Sequence, residues 1–197
     1  DIMVDAARKE AQAAFGNDSV YFEPLVQGAR HIEVQIIGDG EGQILCLGDR
    51  ECSIQRRRQK LIEEAPAPRL PDALRKEFQD HAVKLAERLK YRSLGTVEFL
   101  LDKNGEMFFI EVNPRIQVEH PVTELVTGVD LVKEQIRIAR GRRMGPTESV
   151  LEPKGWAIEC RINAEDPYNN FIPSVGKIST LIVPTGPGVR VDSGVFS

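Results

Sequence analysis

The sequence predicts an α+β fold in which helices flank a mainly antiparallel sheet. Residues 31–48 contain an alternating strand, a Gly-Asp-Gly-Glu-Gly turn and an apolar return strand, and residues 96–112 contain two strand-like runs around Asn104-Gly105. Both patterns are typical of β-hairpins. Apolar residues recur at helical spacing over residues 72–90, so a long helix separates the two hairpins.

The N-terminal part begins with a helix-like run over residues 1–15, which the turn cluster 16–18 ends. Residues 20–25 predict a short strand. In the first hairpin strand, residues 31–37, side chains alternate between an apolar and a polar face. The apolar face holds Ile32, Val34 and Ile36, and the polar face holds His31, Glu33 and Gln35.

Prolines and glycines bound the remaining elements. They predict a rigid connection at 66–71 before the long helix, a short helix between Pro121 and Gly128, and a further helix over residues 130–140. A linker is expected at residues 142–154. The last part predicts strands at 156–165, 177–183 and 188–193.

Composition and charge restrict the class of protein. The chain has 197 residues and a formal net charge of −4, which argues against general binding to nucleic acid or to a membrane. It has no apolar run long enough for a transmembrane span and no secretory-type leader. Cys46, Cys52 and Cys160 have no metal-ligand spacing and cannot all pair, which predicts a cytoplasmic protein, or an organelle-matrix protein in a eukaryote. Both ends look cut, so we expect a longer polypeptide.

The most informative stretch is residues 110–120, where polar and apolar residues alternate. In an extended chain, alternate side chains point to the same side. One side would be apolar, and the other would mix acids, carboxamides and a guanidinium group. These polar residues are Glu111, Asn113, Arg115, Gln117 and Glu119. A half-buried strand with a solvated face is the ordinary explanation of alternation, but this mixture of groups favours a functional surface.

Two acidic residues of the second hairpin are expected to face each other. If Asn104-Gly105 forms a type I′ turn, Glu98 lies directly opposite Glu111. Opposed like charges destabilise a sheet, and a divalent cation would make the pairing favourable. With Asn113, the carboxylates offer hard oxygen ligands suited to Mg²⁺ or Mn²⁺. The alternative is a slipped register or a protonated carboxyl group.

The only basic cluster in the sequence is Arg-Arg-Arg-Gln-Lys at residues 56–60. It lacks interleaved aromatic residues for base stacking, so a site for a small anion fits better than nucleic-acid binding, with surface decoration as the alternative. Arg161 lies in a strand-like run, where an arginine is most often an ion-pair partner, here of Glu159 or Glu165. His31 would by default be a hydrogen-bonded surface histidine.

Four long segments carry a family resemblance: RHIEVQIIGDGEG, DRECSIQRRRQKLIEEAPAP, GTVEFLLDKNGEMFFIEVNPRIQVEHPVTELVTGVDLVKEQIRIA and ECRINAEDP. Together they closely resemble the biotin carboxylase family, the ATP-grasp component of biotin-dependent acyl-CoA or pyruvate carboxylases. The resemblance runs from about residue 10 to the end. It implies the C-terminal half of an ATP-grasp fold. Residues 1–23 would be a remnant of the lid domain, 24–152 the ATP, metal and bicarbonate region, and 153–197 the start of the biotin carboxylase C-terminal domain.

The resemblance also implies an activity. In that family, ATP and bicarbonate give carboxyphosphate, which carboxylates the N1′ atom of biotin on a carrier domain. The implied cofactors and substrates are ATP, Mg²⁺ or Mn²⁺, bicarbonate and biotin. The implied partners are a biotin carboxyl carrier domain, a carboxyltransferase component and a second copy of the full-length protein in a homodimer.

Individual residues match functional positions of the family. The metal ligands would be Glu98, Glu111 and Asn113. The bicarbonate site would comprise Lys60, Arg115, Gln117 and Val118, the last through its backbone. The nucleotide would contact Glu23, Pro24, Leu25, Val26, His31, Gln55, Arg58, Glu98 and Glu111. The catalytic residues would be Arg115, Glu119 as the base that deprotonates bicarbonate, and Arg161, which binds biotin and stabilises its enolate.

Two departures from the family pattern matter. Arg58 stands where many members carry His, which alters one nucleotide contact. The Gly-rich lid loop is absent from these residues, so we expect the 197-residue piece alone not to turn over ATP. The alternatives are another ATP-grasp ligase of the carbamoyl phosphate synthetase type, and a fragment that keeps the fold without catalysis.

Overall fold

The computed structural model describes residues 2–145 and 151–195, which divide into two compact units, the second beginning at Arg161. The chain forms an α+β fold, as predicted. The strands are β1 (Arg30–Asp39), β2 (Ile44–Arg56), β3 (Gln59–Ala65), β4 (Arg92–Leu101), β5 (Met107–Asn113), β6 (Ala157–Cys160) and the short β7 (Glu165–Asp166) and β8 (Ile172–Pro173). The helices are α1 (Ile2–Phe15), α2 (Asp72–Arg88), α3 (His120–Thr127) and α4 (Leu131–Ala139).

The first unit is built around an antiparallel sheet with the strand order β5-β4-β1-β2-β3-β6. Strands β1 and β2 form the first predicted hairpin, whose turn is closed by Asp39. Its Oδ1 atom accepts hydrogen bonds from the backbone N–H groups of Glu41, Gly42 and Gln43 at 2.7, 3.0 and 3.0 Å. Both faces of β1 are buried, because helices or loops cover the sheet on either side.

Helix α2 covers one face of the sheet, where the main core lies. Phe78, Ala82 and Ala86 are buried against the apolar face of β1 and against Val97 and Phe99 of β4. The rings of Phe78 and Phe99 meet edge to face, with centroids 5.2 Å apart. The helical spacing of residues 72–90 therefore predicted the correct element and its buried side.

Helices α3 and α4 lie between β5 and the end of the first unit, as predicted from their flanking glycines and proline. Gly128 has φ +73°, the left-handed conformation that ends α3 without a Cβ clash. Asp130 caps α4 by accepting a hydrogen bond from the Lys133 backbone N–H at 2.8 Å. Leu131 and Ile138 of α4 are buried in a second core cluster with Leu94 of β4.

The second hairpin has the predicted acidic pair but not the predicted turn. Only Gly105 of the Asn104-Gly105 pair has positive φ, so the turn is a three-residue loop rather than type I′. Pairing next to the turn, Leu101 with Met107, is consequently shifted by one residue. A bulge at Ile110 removes the shift, because one extra residue on β5 faces no partner on β4.

Several other predicted elements are wrong. Residues 20–25 form no strand, and neither do 177–183 or 188–193, which are coil, bends and turns. Residues 20–25, 177–183 and 188–193 carry strand-forming side chains but pair with no strand in the described part of the chain. Part of the linker predicted at 142–154 lies outside the described residues, at 146–150. No described helix is long and apolar enough to cross a membrane.

Candidate active site

A cluster of buried charged side chains lies around the ammonium group of Lys60. Its Nζ atom donates hydrogen bonds to Glu33 Oε2 at 2.5 Å, to Glu119 Oε1 at 2.6 Å and to Glu98 Oε1 at 2.9 Å. The Lys60 side chain is 13% exposed, and each carboxylate is at most 5% exposed. One ammonium group therefore links three acidic residues from distant parts of the chain.

The register of the sheet brings this cluster together. Glu33 on β1 lies opposite Glu98 on β4 and, on its other side, opposite Arg50 on β2. His31 is two residues from Glu33 and points to the same face, with its Nε2 atom 2.7 Å from Glu98 Oε2. Glu119 arrives from outside the sheet, as the residue that precedes α3.

The charges in the cluster stabilise one another. Burial alone would lower the pKa of Lys60, but the carboxylates of Glu33 and Glu119 hold that pKa well above its ordinary value. Burial alone would raise the pKa of Glu98, but His31 and Lys60 hold it well below its ordinary range. Lys60 and Arg50 likewise lower the pKa of Glu119 against the effect of burial. At neutral pH the Lys60 ammonium group and the carboxylates of Glu98 and Glu119 are therefore charged.

Glu98, Glu111 and Asn113 place oxygen-bearing side chains at one edge of the cluster. Glu98 lies directly opposite Glu111, which confirms the predicted pairing. The Nδ2 atom of Asn113 donates to Glu98 Oε1 at 2.9 Å and to Glu111 Oε1 at 3.2 Å, so one donor reaches both carboxylates. A divalent cation would bind the same carboxylate oxygens of Glu98 and Glu111. The three residues fit Mg²⁺ or Mn²⁺, because turning the Asn113 amide presents its Oδ1 as a third ligand.

The chain leaves the sheet directly after this acidic pair. Strand β5 ends at Asn113, so the expectation of extended structure up to residue 120 is wrong. Pro114 carries no N–H for a further ladder hydrogen bond, and residues 114–119 form a loop that leads into α3. Strand β5 thus positions Glu111 and Asn113, whereas the loop positions Arg115, Gln117 and Glu119.

This loop points two of its side chains inward and leaves two exposed. Gln117 and Glu119 are 9% and 1% exposed, and Gln117 Nε2 donates to Glu98 Oε1 at 2.9 Å. The Oε1 atom of Gln117 is buried and lacks a hydrogen-bond partner among the described protein groups. Arg115 is exposed and donates from Nη2 to Asn113 Oδ1 at 3.2 Å, while Val118 is 57% exposed.

The residues predicted to contact nucleotide fall into separate regions. His31 and Gln55 join the charged cluster, since Gln55 Nε2 lies 3.0 Å from His31 Nδ1. Arg58 is exposed in the turn between β2 and β3, where Arg57 and Arg58 have φ of +51° and +64°, a strained conformation for side chains other than glycine. The predicted contacts at residues 23–26 lie in a coil before β1, and all but the half-buried Val26 are exposed. The Lys60 cluster therefore includes only part of this set.

Arg161 is the first residue of the second unit, and in the sequence it directly follows β6 of the first unit. Strand β6 pairs with β3, with Cys160 opposite Ile62.

Cys160 is exposed, whereas Cys46 and Cys52 are buried. Burial raises the pKa of the Cys52 thiol well above its ordinary value, so this cysteine remains protonated beside the charged cluster.

Sequence reasoning missed two members of the cluster, Glu33 and Arg50, which are both 0% exposed. The only sequence signal was the polar face of β1, which places Glu33 between His31 and Gln35. Arg50 has no such signal, because its partners lie on β1, β4 and α3 and become neighbours only through the fold.

Two family models match the chain. The model described as carbamoyl-phosphate synthase L chain, ATP binding domain, matches residues 1–146, and the biotin carboxylase C-terminal domain matches residues 159–197. This chain belongs to the biotin carboxylase family. Its relatives include a biotin carboxylase of Nostoc sp., 56% identical over 98% of this chain, and a chloroplastic biotin carboxylase of Arabidopsis thaliana, 51% identical over 99% of this chain. The chain spans 43% and 36% of the lengths of these relatives.

A solved biotin carboxylase structure has the same fold. It is the biotin carboxylase domain dimer of the 2-oxoglutarate carboxylase from Hydrogenobacter thermophilus, in complex with MgADP, ADP and bicarbonate. The two chains are 48% identical and superpose with a TM-score of 0.91, over 96% of this chain and 42% of the other. The ATP-grasp part of the predicted fold is confirmed by this similarity.

The position of Lys60 predicts that its ammonium group competes with divalent cations for the same carboxylates. Ligand atoms of His31, Glu33 and Glu98 lie within 4.8 Å of one another, and Lys60 occupies the space between the carboxylates. Removing the ammonium group would leave Glu33 with Arg50 alone and Glu98 with His31 alone as charged or chargeable partners among the described residues. We expect Lys60→Gln to bind Mn²⁺ about tenfold more tightly in the absence of nucleotide, a change of ~1.4 kcal/mol.

The measurement is a titration of free Mn²⁺ by electron paramagnetic resonance. Lys103→Gln is the matched control, because it removes the same charge from an exposed position in the β4–β5 loop. Equal Mn²⁺ affinities in Lys60→Gln and Lys103→Gln would show that Lys60 does not compete for the site.

Proposed function

We propose that the chain forms the metal- and bicarbonate-binding part of a biotin carboxylase, which uses ATP and bicarbonate to carboxylate biotin. The observation that supports this most is the buried Lys60 ammonium group, which lies between Glu119 and Glu98 and beside the Glu98–Glu111 pair. A cation and an ionised carboxylate thus lie next to Glu98 and Glu111, the proposed metal ligands. Bicarbonate activation against a nucleotide phosphate needs these groups together.

Each group has a chemical role in this proposal. A bound divalent ion would neutralise charge on the transferring phosphoryl group. Arg115, the Gln117 side chain and the Val118 backbone would hold bicarbonate, and Glu119 would accept its proton. A bicarbonate oxygen then attacks the γ-phosphorus of ATP, the bond to ADP breaks, and carboxyphosphate forms. Lys60 stabilises the added negative charge, since its high pKa keeps it protonated throughout.

The buried Gln117 Oε1 atom supports the bicarbonate assignment. It is a hydrogen-bond acceptor with no donor among the described groups, and the single hydroxyl group of bicarbonate would donate to it until Glu119 accepts that proton. Gln117 Nε2 is fixed by Glu98, so the orientation of the amide is already determined by the metal side of the site.

The second half-reaction would involve Arg161, whose guanidinium group would stabilise the biotin enolate. In this proposal, residues 1–23 are part of the lid domain, 24–152 the ATP, metal and bicarbonate region, and 153–197 the start of the C-terminal domain. The partners would be a biotin carboxyl carrier domain, a carboxyltransferase component and a second copy of the full-length protein. The setting would be the cytoplasm, or an organelle matrix in a eukaryote.

Loss of the Glu119 carboxylate tests the proposed function. We expect the full-length protein that contains this chain to release phosphate from ATP in a bicarbonate-dependent manner with Mg²⁺ and free biotin. Glu119→Gln should lower this rate at least about 100-fold, because the amide cannot accept the bicarbonate proton. Glu87→Gln, at an exposed position on α2, is the control and should retain the wild-type rate.

The same assay separates the proposal from its rival, a ligase of the carbamoyl phosphate synthetase type. If ammonia, rather than biotin, is the acceptor that speeds phosphate release from ATP, the result would favour that rival. Wild-type rates in Glu119→Gln would reject both, since each requires bicarbonate to be deprotonated at this site.

A further inference from the structure

Arg50 is a fully buried arginine that none of the proposed steps uses. Its side chain is 0% exposed, and its guanidinium group donates hydrogen bonds to four other side chains. These are Glu33 Oε1 at 2.5 Å, Thr123 Oγ1 at 2.7 Å, Gln35 Oε1 at 2.8 Å and Thr96 Oγ1 at 3.3 Å. A buried charge without such partners would cost several kcal/mol.

The contacts of Arg50 connect two walls of the proposed site. On one side it holds Oε1 of Glu33, whose Oε2 accepts a hydrogen bond from Lys60 at 2.5 Å. On the other side it holds the hydroxyl group of Thr123, which lies in the first turn and a half of α3. Glu119 is the N-cap residue of α3, so a shift of this helix relative to the sheet shifts Glu119 as well.

We propose that Arg50 is a positioning residue that fixes the distance between Glu119 and Lys60, through Thr123 on one side and Glu33 on the other. The inference rests on the proposed function, because it gives Arg50 a role in aligning the proposed base with bicarbonate. Arg50 itself contacts neither the substrate nor the metal ligands in this arrangement.

The chemistry of the guanidinium group suits this role. It presents five N–H donors in a rigid plane, so its hydrogen bonds hold the strand residues and the helix in one fixed relation. An ammonium group has three donors on a flexible stem and could not reproduce four contacts. Proton transfer in an active site is sensitive to such alignment, since a displacement of about 1 Å can cost about 100-fold in rate.

Two threonines offer a matched pair of variants. Thr123 and Thr96 are 1% and 0% exposed, and both accept a hydrogen bond from Arg50. Only Thr123 lies on the helix that carries Glu119, whereas Thr96 lies on β4. Replacement by Val keeps the shape of either side chain and removes the hydroxyl group. Thr123→Val therefore removes the hydrogen bond from Arg50 to α3, and Thr96→Val removes the one to β4.

We expect Thr123→Val to lower kcat for bicarbonate-dependent ATP cleavage about tenfold with little change in KM for ATP. Thr96→Val should lower the thermal midpoint about as much as Thr123→Val does, but it should keep kcat within about twofold of wild type. Thr123→Ser restores the hydroxyl group and should recover most of the rate. These measurements use the full-length protein, with melting curves recorded for every variant.

Equal kcat values for Thr123→Val and Thr96→Val would overturn the proposal and leave Arg50 with a structural role alone. Failure of Thr123→Ser to recover activity would also overturn it. If either Val variant does not fold, the pair Thr123→Ala and Thr96→Ala is compared in the same way. A wild-type protein without bicarbonate-dependent ATP cleavage would instead reject the proposed function, which is a distinguishable result.

Discussion

Replacing Glu98 or Glu111 by Gln in the full-length protein is expected to abolish metal-dependent ATP cleavage while the fold remains intact. The two carboxylates face each other across β4 and β5, and Asn113 reaches both of them with one atom. An amide keeps the size of the side chain but removes the negative charge that a hard divalent cation requires. We expect a loss of at least about 100-fold in kcat/KM for MgATP.

Steady-state kinetics over a range of Mg²⁺ concentrations measure this effect, and circular dichroism reports on the fold. Glu106→Gln is the control, because Glu106 lies in the same hairpin at an exposed position near the turn. Activity of either Glu98→Gln or Glu111→Gln near that of Glu106→Gln would rule out the shared metal ion.

Arg161→Gln is expected to separate the two half-reactions. Arg161 begins the second unit and follows β6, whereas the proposed bicarbonate residues come from β3 and the loop before α3. Its guanidinium group would act only on charge that develops when biotin is deprotonated. We therefore expect biotin carboxylation to fall at least about 100-fold and bicarbonate-dependent ATP cleavage to fall less than about fivefold.

Both rates can be measured on one preparation, by fixation of labelled bicarbonate onto biotin and by phosphate release. Arg190→Gln is the control within the same unit, since Arg190 lies far along the sequence and pairs locally with Asp192. Equal losses in both rates for Arg161→Gln would mean that Arg161 serves the shared phosphoryl step or the fold.

The sequence predicted the Glu98–Glu111 pair correctly for an incomplete reason. The two-residue turn assumed at Asn104-Gly105 is a three-residue loop, which alone would have moved Glu98 away from Glu111. The bulge at Ile110 compensates for it. Turn length and bulge position are coupled through the packing of the sheet, which no pattern in the hairpin sequence reveals.

The alternating stretch at 110–120 contains two residues that reach the buried charged cluster, Gln117 and Glu119, but its predicted geometry is wrong. Alternation assumes one extended strand, whereas the chain turns out of the sheet after Asn113. Gln117 and Glu119 still reach the cluster, because the loop and the start of α3 direct them inward. The chemistry could be predicted from residue types, but the positions depended on tertiary structure.

The central role of Lys60 could not have been inferred from its neighbours in sequence. Residues 56–60 are strongly basic, and three of them remain at or near a solvent-exposed turn. Lys60 differs because Glu33 and Glu119, which are 27 and 59 residues away in sequence, enclose it. Such an arrangement follows from strand order and register, which are properties of the whole sheet.

The most direct test of bicarbonate activation at this site follows the oxygen atoms of bicarbonate. The full-length protein is supplied with ATP, Mg²⁺ and ¹⁸O-labelled bicarbonate in unlabelled water, and the released phosphate is analysed by mass spectrometry. If bicarbonate attacks the γ-phosphorus at the site around Lys60 and Glu119, each phosphate released with biotin present carries one ¹⁸O atom, and this labelled product is lost in Glu119→Gln. Phosphate without ¹⁸O would show that water attacks ATP directly, which would contradict the assignment of this cluster to bicarbonate activation.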